Sequence, residues 1–136
     1  MHTLLTNKVV LLAVGGALGT NARYWLARWC SEMTWQGAFP LGTFVINVSG
    51  SVVLGFVGVV FLERMAPDHR DWYLLLGTGF CGGYTTFSTF EWETFNLIRD
   101  RSWMLAAANV VGSVAAGLGG VVLGVALAGL LFPDRP

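Results

Sequence analysis

Four apolar stretches, each long enough to cross a bilayer, dictate what this chain can become. They cover residues 8–29, 41–62, 72–98 and 103–132, and short polar joints at 31–40, 63–71 and 99–102 separate them. A hydrocarbon core about 30 Å thick takes about 20 helical residues to cross. Within it the backbone must pair its own N–H and C=O groups, which a helix does and an open strand does not. Of 136 residues, 54% are hydrophobic and 12% charged, against about 25% charged in ordinary soluble domains. The expected fold is an all-α integral membrane protein, a single transmembrane domain of four helices over residues 1–136. Trp29, Trp35, Trp72 and Trp103 fall at the expected helix ends, where an interfacial aromatic belt belongs. Lys8 precedes an apolar run as in a signal peptide, but Arg23 and Arg28 follow with no small-residue cleavage site.

The charges are few and balanced. Net charge is zero, so no basic surface points to nucleic acid. If the termini share one side, that side holds Lys8, Arg64, Arg70 and Arg135, and the other holds Arg23, Arg28, Arg99 and Arg101. Insertion is oriented by Lys/Arg asymmetry, and here the count is even. A chain that inserts both ways up, as an antiparallel dimer, and a chain with a weak bias both fit it. Cys30 and Cys81 lack any metal-type spacing and are expected to be reduced and packed.

Small residues recur at helical spacing: Gly15 and Gly19, then Asn47, Ser51 and Gly55, then Gly112, Ala116, Gly120, Gly124 and Ala128. In lipid such stripes let helix backbones approach closely, so helix contact is their expected role. Polar residues at membrane depth are few: Asn47, Ser49 and Ser51, then Thr78 and the Thr85–Thr89 group, then Asn109 and Ser113, which share a face. The NVS sequon at 47–49 lies inside a span, where no glycan can be added.

The most informative run is GFCGGYTTFSTFEWETF at 79–95. Gly77, Gly79 and Gly82 satisfy GxGxxG by letter, but that dinucleotide fingerprint needs a strand and a βαβ unit, which these flanks cannot form. Glycine is a poor interior helix residue, so the third helix is expected to break near 82–85. Freed carbonyls at such a break are cation ligands, and Gly82 to Thr85 reads as a small ion site.

Three segments carry a family resemblance: GALGTNARY at 16–24, GTFVINVSGS at 42–51 and GFCGGYTTFSTFEWET at 79–94, with Ser113 in the last helix. The chain resembles the fluoride channel family (Fluc/CrcB-type) of small dual-topology membrane proteins over essentially its whole length. The resemblance implies a multi-pass protein of the cell inner (plasma) membrane that exports fluoride passively as an antiparallel homodimer with two pores. It implies a central structural sodium ion (Na+) held by the backbone carbonyls of Gly82 and Thr85 from both copies. Asn47, Phe87 and Phe90 match the family's pore-lining positions, Ser88, Thr89 and Ser113 its polar track, and Arg23 its vestibule arginine. Asn109 departs from the pattern, since several relatives carry Tyr there.

The chemistry of these residues suits the anion. Fluoride is small and tightly hydrated, and Asn47, Ser88, Thr89 and Ser113 offer neutral donors that replace water without a fixed charge to trap it. Phe87 and Phe90, three apart on one face, can present their positive ring edges; without the neighbouring hydroxyls, ordinary packing would explain them. Glu91 and Glu93 would repel an anion; Glu93, about two turns past Thr86, is expected toward the interface or in a helix-end or joint contact with Arg23 or Arg28. A small multidrug transporter would need a carboxylate in the first helix, and residues 8–29 hold no Asp or Glu. A non-conducting assembly subunit would explain the small-residue stripes but not the paired Phe with hydroxyls. No nucleophile–base pair, metal cluster or phosphate loop suggests an enzyme, and His2 and His69 fall in the tail and a joint, where solvated histidine is expected.

Overall fold

The computed structural model describes residues 2–33 and 39–133, so Trp35 and Arg135 lie outside the described residues. Six α-helical segments follow one another: α1 (His2–Met33), α2 (Leu41–Gly58), α3 (Arg70–Tyr73), α4 (Gly82–Tyr84), α5 (Phe87–Arg99) and α6 (Trp103–Leu131). A wide π-turn stretch, Val59–Arg64, prolongs α2, and another, Leu74–Cys81, joins α3 to α4, so residues 70–84 form one rod. No strand occurs among the described residues. Leu41–Arg64 and Trp103–Leu131 are long and apolar enough to cross a membrane; at 1.5 Å per residue α6 is about 44 Å long.

Two close pairings organise the rods, and glycine makes both. In the first, α2 lies along α6. A methyl group on Gly124 would meet the Val52 carbonyl and the Phe56 amide, one on Gly120 the Val48 carbonyl, and one on Gly55 the Val121 carbonyl. Only hydrogen fits where backbones touch in this way. The expected α6 stripe is thus buried at Gly120, Gly124 and Ala128, while Gly112 and Ala116 are only half-buried. Val59, Val60 and Ala128 form the compact cluster at one end, with Phe56, Phe61, Met65 and Phe132 around it.

In the second pairing, α1 lies along residues 74–84. Gly15 abuts Leu75 and Phe80, Gly19 abuts Phe80 and Tyr84, and Gly83 abuts the backbone of Gly16. The first-helix GxxxG is therefore used inside the subunit. Elsewhere α6 turns Leu118, Val122 and Leu130 outward, at 64%, 68% and 78% exposure, a surface suited to hydrocarbon rather than water. Cys30 and Cys81 are buried and form no disulfide.

The break falls later than the glycines suggested. Gly82 has helical angles, φ −63° and ψ −38°, Gly83 sits inside α4, and no described glycine has positive φ. The chain leaves the helix at Thr85 (ψ 161°) and Thr86 (φ −151°, ψ 116°). Gly83 and its neighbours thus serve close packing on α1, and the break itself comes after them, at two β-branched threonines that are weak helix formers.

The joint between α5 and α6 is a Schellman closure. Ser102 N–H donates to the Leu97 carbonyl at 2.8 Å and Arg101 N–H to that of Ile98 at 3.0 Å. This motif needs a left-handed residue after the cap, usually glycine, and here Arg101 takes it with φ 59°.

Candidate functional site at the helix break

Asn47 holds the break from the side. Its Nδ2 donates to the Thr86 carbonyl at 3.0 Å, and its Oδ1 accepts from Thr86 N–H at 2.8 Å. One side-chain amide thereby satisfies both backbone groups of an extended residue, groups that would be costly if buried unpaired. Thr86 is itself buried. Its hydroxyl oxygen accepts from Thr89 N–H at 3.3 Å as the N-cap of α5, while its proton goes to Thr89 Oγ1 at 2.9 Å. Tyr84 adds a second tie to α2. The Ser49 hydroxyl donates to the Val45 carbonyl at 2.7 Å, so the Tyr84 hydroxyl donates to Ser49, at 2.8 Å.

These ties take backbone oxygens at the break out of the helical pairing. The Thr86 N–H that a continuing helix would give to the Gly82 carbonyl goes to Asn47 instead. Space around Gly82 is open, with nothing within 4 Å of where a methyl group would sit. The Thr85 carbonyl accepts from Arg23 Nη1 at 3.3 Å, and that of Gly83 from the Thr20 hydroxyl at 3.4 Å. Carbonyl oxygens of this kind suit a hard monovalent cation. One chain presents two near the break, from Gly82 and Thr85, and the second already accepts from the Arg23 guanidinium.

Beside the break lies a cavity of about 550 Å³. Six of the pore and ion-site residues expected from the sequence line it: Asn47, Gly82, Thr85, Phe87, Phe90 and Ser113. Thr86, Ser51 and Thr78 add polar groups, and no charged side chain is among the lining residues. The Phe87 and Phe90 rings sit 5.9 Å apart, tilted by 36°, and Phe87 is 71% exposed in the single chain. Ser88 and Thr89 occupy the first turn of α5, exposed and outside that lining. Arg23 reaches the break from α1, at the Thr85 carbonyl.

Glu93 differs from expectation. Its Oε1 accepts from the Thr43 hydroxyl at 2.9 Å rather than from Arg23 or Arg28, and Arg28 pairs with Glu32 one turn on, at 3.0 Å. Glu91 is exposed. Asn109 and Ser113 do share a face, and the Ser113 hydroxyl reaches Asn109 Oδ1 at 3.4 Å. Sequence reasoning grouped Thr86 with the polar residues at membrane depth without giving it a role, and passed over Thr43, Tyr84 and Thr94. The one local signal was the threonine at 86 followed by another at 89, an N-cap placed directly before a helix.

Residues 10–125 match the family described as CrcB-like protein, Camphor Resistance (CrcB). The chain belongs to this family. Among curated relatives, a protein of Solibacter usitatus (strain Ellin6076) is 45% identical over 121 residues, 89% of this chain and 98% of that protein. One from Oceanobacillus iheyensis is 42% identical over 88% of this chain and 90% of its own length. One from Pyrococcus abyssi (strain GE5 / Orsay) is 42% identical over 88% and 94%. Each is named a fluoride-specific ion channel, FluC. The reading that such a CrcB-like chain is not an enzyme agrees with those names.

Proposed function

We propose that this chain is a subunit of a fluoride-selective channel that lets fluoride leave the cell passively across the inner membrane. The relatives' names support the ion, and the uncharged cavity at the break carries the reading. Asn47, Ser113, Phe87 and Phe90 converge there from three separate elements, α2, α5 and α6. A dehydrated anion needs donors at close range, yet a buried Lys or Arg would hold it too firmly for conduction. The second Nδ2 proton of Asn47, beyond the one given to Thr86, and the Ser113 hydroxyl supply neutral donors. The Phe87 and Phe90 edges narrow the passage and face an anion with their positive rims.

In this reading α1, Leu41–Arg64, residues 70–99 and α6 are four spans. Two copies insert antiparallel, as the even distribution of Lys and Arg allows, and pair as a homodimer with two pores. The Gly82 and Thr85 carbonyls of both copies would hold sodium at the crossing. A cation there supplies fixed positive charge beside an anion route and fastens the two broken rods together.

Purified protein in liposomes is expected to release fluoride far faster than chloride. Phe87→Ile should cut that flux at least tenfold while the protein still migrates as a dimer in detergent. Vesicles that stay sealed to fluoride, or copies that all face one way in the bilayer, would overturn the proposal.

A further inference from the structure

A line of hydrogen bonds runs away from the cavity behind the Phe pair. It begins at Ser113 on α6, which lines the cavity, and passes to Asn109 Oδ1 at 3.4 Å. Asn109 Nδ2 then donates to Thr94 Oγ1 at 2.9 Å, and the Thr94 hydroxyl to the Phe90 carbonyl at 2.8 Å. Asn109 is 1% exposed and is not among the cavity's lining residues.

The direction of every proton on this line is forced from its far end. A carbonyl only accepts, so the Thr94 proton belongs to Phe90. Thr94 oxygen then needs a donor, which turns the NH₂ of Asn109 toward it and leaves the amide oxygen facing Ser113. The Ser113 proton is consequently drawn away from the cavity, and an approaching anion meets lone pairs. At 3.4 Å, however, that last bond lies near the outer limit for a hydrogen bond and is the weakest on the line. A strong acceptor can take the proton by rotating the hydroxyl, and a weak one cannot. Among halides fluoride is the strongest hydrogen-bond acceptor.

We infer that Asn109 is a positioning residue that competes with the permeating anion for the Ser113 proton, lowering fluoride affinity at Ser113 so that the ion leaves readily. The inference rests on the channel reading above and concerns how that pathway is tuned. Asn109 touches no anion. Its effect passes through Ser113 alone, and Thr94 fixes it from behind.

The test is fluoride flux into liposomes as a function of concentration, separating half-saturation from maximal rate, with chloride flux measured alongside. Asn109→Leu releases the Ser113 proton and should lower the half-saturating fluoride concentration about twofold to threefold, the low end of the net worth of one neutral hydrogen bond. Maximal rate should fall, because a more tightly held ion leaves more slowly. Thr94→Val, nearly isosteric and away from the cavity, frees the Asn109 amide to turn and should shift half-saturation the same way, which covers the case in which Asn109→Leu folds poorly. In a Ser113→Ala background neither substitution should move half-saturation. Equal shifts with and without Ser113, or no shift from Thr94→Val in a wild-type channel that conducts, would overturn the role of Asn109 alone. A wild type that passes no fluoride would overturn the channel reading and this inference with it.

Discussion

The α6 rod and the rod interrupted at Thr85–Thr86 are both rich in glycine and small residues, yet only one of them breaks. In α6, Gly120 and Gly124 press on α2 and the helix runs on for 29 residues. In the other, Gly79 and Gly83 press on α1 in the same manner, and the helix continues through them before it stops at two threonines. Glycine does the same work in both rods. The difference is Asn47, whose amide offers Thr86 a partner outside the helix. Small residues set how closely rods approach; a polar side chain from a neighbour decides where one of them opens.

That contrast can be broken most severely at Gly124. Gly124→Val would drive its side chain into the Val52 carbonyl and the Phe56 amide, and overpacking against backbone has little room to relax. A loss of several kcal/mol is expected, about 3 or more, seen as failure to recover monodisperse protein in detergent. Asn47→Ala comes next. It leaves the Thr86 N–H and carbonyl without their partner, at about 1–3 kcal/mol for each buried group. The prediction is loss of fluoride flux with the α2–α6 pairing intact, measured as unchanged helix content beside a lowered unfolding midpoint. If Asn47→Ala conducts normally, a side chain is not what holds the rod open.

Gly82→Ala is the smallest effect and the sharpest test of the comparison. Were glycine the breaking residue, alanine would close the gap. Gly82 is already helical, with open space where the methyl would go, so the chain should fold as well as before or gain about 0.5–1 kcal/mol. A loss of subunit stability in a denaturant titration would return the break to the glycines.

Much of this architecture was legible from hydropathy. Leu41–Arg64 and Trp103–Leu131 fall within two residues of the expected ends, because a long apolar run has no cheaper form than a helix. Asn47 and Ser113 stood out as polar exceptions in such runs, Phe87 and Phe90 through the family resemblance and the hydroxyls beside them, and all four do meet in one cavity. What hydropathy hid is tertiary. The Asn47–Thr86 pair spans 39 positions and the Thr43–Glu93 bond spans 50, and no local pattern encodes either. Glycine misled for a different reason. Its freedom to bend and its permission for close approach are the same letter, and only the contacts of Gly83 with Gly16 show which is used.

The seat of α1 on residues 74–84 is built largely of main chain, at Gly15, Gly16, Gly19, Gly79 and Gly83. A surface without side chains has no rotamers to choose among and no polarity to tune. Its spacing works as a fixed gauge, indifferent to temperature-driven rotamer exchange and to the lipid outside. The Gly82 and Thr85 carbonyls, on either side of its last contact at Gly83, take their depth from that gauge, while Asn47 sets where the rod opens.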